Sequence, residues 1–312
     1  MKTTTNIIYS TFAVLTLACF AFAQQAPDSV SITVITTFDY PGTGNSTIPQ
    51  KINDTGDIVG SSVDSSGEEL GFVRFRNGNF SAPIVDPNDT CNYTRGTGIN
   101  NSRLIGGEYQ NGSDCLYHGY FLMGGHFREF DVPDSVSTEL YGINNVGDFC
   151  GNFTDATGLT QGFVSLGGTI TPFSVPGAIF TIAEGLNSSN QAAGNYVDAS
   201  LIHHGFWRGS NGALHFPIDF PGSTSTILIA NNDSNWMVGR YVTADGVTHG
   251  LFFVPPNRFF TFDYPGSIFT SLNGINRDGF ISGRYRDASS IHHGIIARVL
   301  TPRPRPTPAP RP

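Results

Sequence analysis

Three charged residues interrupt a recurring segment that otherwise carries uncharged side chains. Arg95, Glu139 and Glu184 stand one or three places after a recurring Thr, where most copies have Ile, Thr, Ser or an amide. Tyr141 shares their parity, so all four side chains should face the same side of their strands. Two carboxylates at one site suit general acid–base catalysis, such as glycoside hydrolysis. An Arg–Glu ion-pair cluster is the simpler interpretation, and we favour it.

Histidine recurs before a glycine in four copies of the segment. A single catalytic or metal site needs its residues only once, whereas these histidines belong to separate copies: His118, His204, His249 and His293. An Asp ends the strand before the His, as Asp198 and Asp287 do, so we predict that each His donates a hydrogen bond to this Asp. The doublets His203-His204 and His292-His293 could bind a metal, but we favour the same structural role for them. We predict no metal site and no cofactor.

All of these residues belong to a repeat of about 44 residues that occurs six times. An apolar-Asp-apolar-Pro cluster marks each copy, with prolines at Pro41, Pro87, Pro133, Pro176, Pro221 and Pro265. An Ile-Asn-like pair follows it, with asparagines at Asn53, Asn100, Asn144, Asn187, Asn231 and Asn276. One glycine then lies inside a strand, as Gly151 does, and a second begins the next apolar run, as Gly162 does. Four landmarks in constant order exclude a chance origin.

Each repeat is predicted to form four short antiparallel strands. The sixth repeat shows them most clearly, at residues 259–264, 270–275, 280–286 and 293–300. A strand and its turn take about 11 residues, which is typical of all-β proteins, and no helical periodicity interrupts the pattern. Six repeats of four strands specify an all-β fold, a six-bladed β-propeller.

The turns predict the order of strands within a blade. Pairs such as Gly124-Gly125 favour two-residue hairpin turns, so the glycine-aromatic strand and the next aromatic-Asp-Pro strand share a blade. The longer link after each Pro-Gly corner is the crossing to the next blade. The innermost strand is therefore the one that ends in Ile-Asn, and the aromatic-Asp-Pro strand is outermost. Glu68 and Glu69 are predicted to lie in a solvated turn.

This order leaves one outer strand without a blade at the N-terminus. Residues 36–40 precede the first innermost strand, and the sixth repeat ends on its third strand at 293–300. We predict that these two strands pair and close the ring, because an open ring would expose strand edges. The chain then divides into a signal peptide (1–23), a lead-in (24–35), one propeller (36–300) and a proline-rich tail (301–312).

The repeat resembles a family of probable extracellular repeats named after a His-Ala-Phe (HAF) motif. The matching segments are His118-Gly119-Tyr120, His204-Gly205-Phe206, His249-Gly250-Leu251, His293-Gly294-Ile295 and Gly-Ile-Asn elements such as Gly274-Ile275-Asn276. Gly replaces the family's Ala, and Leu70 and Gln161 replace the His in two repeats. The resemblance spans about residues 37–300 and implies a secreted bacterial repeat protein. It implies no activity and no catalytic residues.

Composition excludes some classes of function. The chain has 312 residues, 17 Lys and Arg, 25 Asp and Glu and a net charge of -8, and its lysines are Lys2 and Lys51. This composition supplies no basic patch for nucleic acid. Charged residues make up 13% of the chain, about half of the usual ~25%. The balance is typical of a turn-rich extracellular β protein.

The first 23 residues are predicted to be a secretory signal peptide. Lys2 precedes an apolar stretch at 12–22, and Ala21-Phe22-Ala23 forms an A-x-A cleavage site. This stretch is too short to span a membrane, and no later segment is predicted to span one. A lipid anchor on Cys19 is the alternative, although Thr16 stands where a lipobox has Leu. The tail TPRPRPTPAPRP is predicted to be a polyproline II spacer.

Three cysteines remain after the predicted cleavage. Cys91 lies in a blade-crossing link, and Cys115 lies in the link between the second and third strands of the same blade. In an antiparallel meander both links fall on the same face, so we predict a disulfide between them in an oxidising compartment. Cys150 lies inside a strand and is predicted to be a buried free thiol.

Because ligand sites concentrate in concave openings such as the mouth of a channel, Arg95, Glu139, Tyr141 and Glu184 are the candidate ligand-binding residues. The favoured hypothesis is a secreted, monomeric, non-enzymatic propeller that binds a glycan, a wall polymer or an extracellular protein. The alternatives are a polysaccharide-active enzyme that uses Glu139 and Glu184 as catalytic residues, and a purely structural surface protein.

Overall fold

The computed structural model describes residues 30–42 and 46–300. These residues form 23 β-strands and no helix. The predicted signal peptide with Cys19, the first part of the predicted lead-in and the proline-rich tail lie outside the described residues.

The strands group into six blades, preceded by β1 (Ser31–Phe38). The first three blades contain β2 (Ser46–Ile52), β3 (Ile58–Val63) and β4 (Glu69–Arg74); β5 (Thr94–Ile99), β6 (Ile105–Asn111), β7 (Leu116–Met123) and β8 (His126–Phe130); and β9 (Ser137–Ile143), β10 (Phe149–Thr154), β11 (Thr160–Leu166) and β12 (Thr169–Phe173). The last three contain β13 (Phe180–Leu186), β14 (Ala192–Val197), β15 (His203–Arg208) and β16 (Leu214–Ile218); β17 (Ser225–Asn231), β18 (Met237–Val242), β19 (Thr248–Val254) and β20 (Arg258–Phe262); and β21 (Phe269–Ile275), β22 (Phe280–Arg286) and β23 (His292–Leu300).

The strand order within a blade is the predicted one. In blade 3 the order is β9, β10, β11 and β12, and the first strands of neighbouring blades contact each other. Blade 1 differs, because only two isolated bridges, to Phe80 and to Ile84, follow β4. The hydroxyl of Ser81 accepts the backbone N–H of Val73 at 3.0 Å, so a side chain replaces one acceptor of a regular fourth strand.

The apolar core lies between neighbouring blades. Val238 and Phe252 of blade 5 pack in one cluster with Leu272, Ile281 and Ile295 of blade 6. Each of these five side chains is almost fully buried. Apolar residues on both faces of a blade therefore pack against the neighbouring blades.

A glycine on the second strand of every blade lets that strand approach the innermost strand. In blade 3, a Cβ on Gly151 would overlap the carbonyl oxygen of Glu139. The same conflict arises at the equivalent glycines Gly60, Gly107, Gly194, Gly239 and Gly283. These recurring glycines are therefore explained by close backbone approach.

Each innermost strand ends on a buried asparagine whose side chain links two blades. In blade 3, Oδ1 of Asn144 accepts the backbone N–H groups of Val146 and Asp148 at 3.1 and 2.9 Å, which holds its own turn. Nδ2 of the same residue donates to the carbonyl oxygen of Asn187 in blade 4 at 3.3 Å. These asparagines therefore hold their own turns, as predicted, and also link neighbouring blades.

The inter-blade bond occurs six times and returns to its start. Its distances are 3.0 to 3.3 Å, and it joins, in order, Asn53, Asn100, Asn144, Asn187, Asn232 and Asn276, which donates to Asn53. We call this set the asparagine ring. The prediction of Asn231 for the fifth repeat is wrong, because Asn232 holds the equivalent turn through Ser234 and Trp236.

A threonine near the start of each innermost strand links the same strand to the preceding blade. Oγ1 of Thr138, for example, accepts the backbone N–H of Val132 at 3.0 Å. The six threonines are completely buried: Thr47, Thr94, Thr138, Thr181, Thr226 and Thr270. Each accepts one such N–H from the link that leads into its blade. The predicted blade-crossing links are therefore held by side chains of the strands that follow them.

The N-terminal strand pairs with the last strand, as predicted. β1 runs antiparallel to β23 as the fourth strand of blade 6. It begins at Ser31 instead of residue 36, so Ser31 to Val34 of the predicted lead-in already pair with the end of β23. A bulge between Val34 and Thr36 interrupts the alternation of side chains, which concealed the first half of the strand in the sequence. The contribution of this pairing to ring closure stays a prediction.

The cysteines of blade 2 form the predicted disulfide. Cys91 and Cys115 are 24 residues apart, with their Cα atoms 5.9 Å from each other. They join the crossing link into blade 2 to the turn between β6 and β7. Cys150 is a buried free cysteine, and burial raises the pKa of its thiol to about 12.

Removal of the N-terminal strand tests ring closure. A mature chain without residues 31–42 loses the partner of β23, so apolar residues such as Val299 become exposed along an unpaired edge. We expect the midpoint of thermal unfolding to fall by roughly 10 °C or more. Deletion of residues 301–312 is the matched control and should leave the midpoint unchanged. Equal melting of the 31–42 deletion and the full chain would contradict closure by β1.

The substitution Asn144→Asp tests the asparagine ring. The carboxylate keeps the acceptor for the turn but loses the Nδ2 donor, and it lies buried opposite a carbonyl oxygen. We expect a loss of about 1–3 kcal/mol in the free energy of unfolding, measured by urea denaturation. Asn77→Asp is the control, because Asn77 holds an exposed turn through its Oδ1 alone. Equal effects of the two substitutions would argue against the inter-blade bond.

Candidate functional site at the threonine end of the channel

The innermost strands line the central channel, whose two ends differ in chemistry. We call them the threonine end, where these strands begin, and the asparagine end, where they finish. At the asparagine end a cavity of about 80 Å³ lies over the asparagine ring. Its main carboxylate, Asp54, accepts hydrogen bonds from Asn101, Asn145 and Arg277 at 2.9 to 3.1 Å. Because these groups already satisfy one another, the threonine end is the better candidate for a ligand site.

Arg95 is paired with different glutamates from those predicted. Its Nε and Nη2 donate to Glu69 at 2.6 and 3.1 Å, and its Nη1 lies 3.7 Å from Glu108. Glu69 begins β4 and is 6% exposed, so its assignment to a solvated turn is wrong. The Arg95 guanidinium also lies over the ring of Tyr93, 4.8 Å from its centre. The favoured ion pair exists, but it joins blades 1 and 2 and excludes Glu139 and Glu184.

Glu139 and Tyr141 are brought together, as their shared parity predicted. The Tyr141 hydroxyl donates to Glu139 at 2.8 Å, and the Asn152 amide donates to its other oxygen at 2.8 Å. Burial raises the pKa of Tyr141 far above its ordinary value, so the phenol stays a donor. Glu139 is thus a half-buried carboxylate held between two neutral donors.

Glu184 lies one blade further on and is held separately. It stands in a bulge, because Ala183 and Gly185 pair with successive residues of β14 and leave Glu184 as the extra residue. Asn195 donates to it at 3.0 Å. Burial raises the pKa of Glu184, while Lys51 and Arg240 act in the opposite direction. Within the described residues no hydrogen bond joins Glu184 to Glu139, although the charge of Glu139 adds to the rise in the pKa of Glu184. A catalytic role for the two carboxyls stays a prediction.

The second strand of each blade contributes a channel residue that the sequence analysis missed. It is the residue directly after the recurring glycine of the second strand: Ser61, Glu108, Asn152, Asn195, Arg240 or Arg284. An aromatic residue follows it in every blade except the first. Each lies beside the first residue after the recurring Thr; Glu108 pairs with Arg95, for example. A comparison of this position across the six repeats would have identified the polar set.

Glu108 is the most perturbed carboxyl of the set. It is 1% exposed, and it accepts a hydrogen bond from the Tyr93 hydroxyl at 3.0 Å. Burial and the charge of Glu139 raise its pKa to about 8, against the opposing effect of Arg95. Glu108 is therefore mostly protonated at neutral pH.

The recurring histidines form structural pairs, but with a different Asp from the predicted one. Nδ1 of His118 lies 2.9 Å from Asp131 on the outermost side of its blade. The other three pairs, at 2.8 to 2.9 Å, are His204–Asp219, His249–Asp263 and His293–Asp39. The predicted Asp198 and Asp287 are secondary partners, at 3.5 and 3.4 Å from the Nε2 of their His. Each His also stacks on a Tyr of the second strand.

In the described part of the chain, no group of three or more His, Cys, Asp or Glu residues is arranged to hold a metal ion. Adjacent residues of a strand point to opposite faces. His203 accordingly bonds Asn195 on the channel side while His204 bonds Asp219. No helix among the described residues is long and apolar enough to cross a membrane.

Comparison with solved structures defines the class of fold. The chain is similar to a mutant of Aleuria aurantia lectin solved with Fucα1-6GlcNAc, with 10% identity, a TM-score of 0.54 and coverage of 85% of this chain and 98% of the lectin. It is also similar to TolB from Acinetobacter baumannii, with 9% identity, a TM-score of 0.52 and coverage of 82% of this chain and 65% of TolB. Another structure of the lectin is described as a six-bladed β-propeller with fucose recognition.

The protein is therefore an all-β, six-bladed β-propeller. No protein-family model matches the sequence, and no characterised protein matches it. At this level of identity, the structural similarity shows the fold alone.

The ionisation of Glu108 predicts a pH dependence of stability. Its pKa is about 8 in the folded protein against about 4.5 when unperturbed, so the folded state binds the proton more tightly. This contribution is complete below pH 4.5 and is lost as pH rises through 8. We expect Glu108→Gln to reduce the fall in unfolding free energy between pH 5 and 9, measured by urea denaturation. Exposed Glu68→Gln is the control and should keep the wild-type slope.

Proposed function

We propose that this protein is a secreted β-propeller that binds a saccharide at the threonine end of its channel and does not transform it. The observation that carries the proposal is the combination of half-buried charged and amide groups with aromatic side chains at that end. Such a concave site with a few oriented polar groups is suited to a small polyhydroxylated ligand. The repeat is also proposed to belong with the HAF repeats of secreted bacterial proteins.

The aromatic residues occupy one position in alternate blades. Tyr93, Phe180 and Phe269 precede the recurring Thr in blades 2, 4 and 6, whereas the other three blades have Ser at this position. Phe180 is 40% exposed, and thus presents ring surface to solvent. Aromatic rings supply large apolar contact area with a defined orientation. The three rings therefore flank the polar groups at regular intervals.

The structural neighbour supports a saccharide over a protein ligand. Aleuria aurantia lectin has the same fold over 98% of its chain and is described with bound fucosides. The support is by analogy of fold, and function resides in sites more than in folds. The polar and aromatic residues of this chain carry the argument.

The enzymatic alternative keeps one supporting observation. Glu108 has a pKa near 8, which suits a general acid at neutral pH. Against catalysis, Glu139 and Glu184 are each held by their own amide, and Glu108 is buried against Arg95 and Tyr93. We therefore expect no release of reducing ends from any saccharide that binds.

Binding is tested by a thermal-shift screen of the mature protein against neutral and acidic oligosaccharides, followed by calorimetric titration. A ligand at 100 times its Kd stabilises a protein by about 2.7 kcal/mol, which gives a measurable shift. We expect Phe180→Ala to weaken binding about tenfold, because loss of an aromatic contact costs about 0.5–1.5 kcal/mol beyond the buried area.

Phe216→Ala is the matched control for this experiment. Phe216 is 38% exposed, but it lies on the outermost strand β16, away from the channel. It should leave the Kd unchanged. Absence of a shift with every saccharide, or equal weakening by both substitutions, would refute saccharide binding at the threonine end.

A further inference from the structure

Among the residues that the structure describes, no carboxylate forms an ion pair with three arginines near the threonine end. Arg240 of blade 5 and Arg284 and Arg286 of blade 6 are half-buried. Within residues 30–42 and 46–300, their guanidinium groups make no hydrogen bond or salt bridge. The Nε atoms of Arg284 and Arg286 are buried without an acceptor, and so is Nδ1 of His292. Buried polar atoms of this kind are unusual in a folded protein, since leaving them unpaired costs free energy.

These groups converge on one ring. The guanidinium carbons of Arg284 and Arg286 lie 5.5 and 5.6 Å from the centre of the Phe269 ring. The His292 ring meets the same ring edge-on, with 5.2 Å between centres. Strand pairing fixes the arrangement, because Arg286 lies between Phe269 and His292 in the sheet. Arg284 and Arg286 are two residues apart on β22, so they face the same side.

The electrostatics of the cluster favour the arrival of a negative charge. Burial and repulsion from Arg240 and Arg95 lower the pKa of Arg284 to about 9. Burial together with Arg284 and Arg286 lowers the pKa of His292 to about 4, so this imidazole is neutral at pH 7. The nearby carboxylates, Glu69 for Arg284 and Glu184 for Arg240, oppose these effects without forming an ion pair with either arginine.

The neighbouring blades 1 and 2 show what is missing. In blades 1 and 2, Arg95 has the Glu69 carboxylate in a two-point contact and the carboxyl group of Glu108 at 3.7 Å. Arg240 and Arg284 occupy the second-strand position that Glu108 has in blade 2, but no carboxylate contacts them among the described residues. A bound anion would supply them, because guanidinium groups bind planar or tetrahedral oxyanions through paired N–H donors.

We propose that Arg240, Arg284 and Arg286, with His292, form a subsite for an oxyanion carried by an acidic saccharide, such as a uronate carboxylate or a sulfate ester. This subsite deepens the proposed function and rests on it. Phe269 is both the platform of the arginines and one of the three aromatic residues at the threonine end. An oxyanion held there places the remainder of the saccharide towards Phe180, Glu139 and Tyr141.

The test compares calorimetric titrations of the mature protein with matched ligands. These are an oligouronate, its methyl ester, a sulfated neutral oligosaccharide, the unsulfated form and inorganic sulfate. We expect the oligouronate or the sulfated sugar to bind at least tenfold more tightly than its uncharged counterpart. The advantage should shrink as salt is raised, because the interaction is between charges.

Variants connect the preference to the subsite. Arg284→Met removes an unpaired charge and keeps a long unbranched side chain. We therefore expect this variant to fold at least as well as the wild type and to lose the preference for the acidic ligand. Arg286→Met is the second variant. Exposed Arg128→Met on β8 is the matched control and should retain the preference.

The outcomes separate the subsite from the function on which it rests. Equal affinity for charged and uncharged saccharides would overturn the subsite and leave saccharide binding intact. If inorganic sulfate binds and no saccharide does, both proposals are overturned: saccharide binding, and the preference for an acidic saccharide. Retention of the preference in Arg284→Met and Arg286→Met would place the recognised charge elsewhere and overturn the assignment.

Discussion

The fold depends on a buried asparagine amide that bonds in two directions. Its oxygen closes the turn of its own blade, and its nitrogen donates to the backbone of the next blade. An amide is the smallest side chain that offers an acceptor and two donors at once. Because the bond recurs at all six positions, the seam between Asn276 and Asn53 is held by the same link as every other junction. At the other end, each of the six threonines accepts a backbone N–H from the link that crosses into its blade.

This arrangement separates the two ends of the channel. At the asparagine end all six blades use the same residue, because each position needs an acceptor and a donor on one short side chain. At the threonine end the next position holds Ile, Arg, Glu or Ser in different blades. Repetition therefore serves the scaffold, and variation between repeats is concentrated where a ligand can reach it. The register shift at Glu184 recurs on the innermost strand of every blade, so it belongs to the scaffold.

The architecture could be predicted because each recurring residue of the repeat is required by the local backbone geometry. Gly151 is required by close approach to β9, and the prolines mark the crossings. Predictions failed where more than one residue fits the local pattern or where the partner comes from another strand. Asn231 and Asn232 are indistinguishable until the turn is seen, and one repeat alone does not show whether His204 pairs mainly with Asp198 or with Asp219. The first half of β1 was missed because a bulge disrupts its alternation.

The candidate site was predicted in part. Arg95, Glu139, Tyr141 and Glu184 do lie along the innermost strands, because the parity of a strand is readable from its sequence. Their partners were not predicted, since Glu69 and Glu108 come from other strands and one of them resembles a turn residue. An ion pair depends on which side chains face each other across a blade junction. Sequence spacing alone does not report such a relation.

The distribution of charge around the channel adds a final constraint. In blades 1 to 3 Arg95 is paired with Glu69, and Glu139 accepts hydrogen bonds from Tyr141 and Asn152. A ligand must compete with these existing hydrogen bonds. Blades 5 and 6 leave buried donors unpaired, which lowers the stability of the free protein. The same groups gain the most from a bound oxyanion, because their cost of desolvation has already been met during folding. One half of the channel is thereby preorganised to orient neutral groups of a ligand, and the other half to attract its charge.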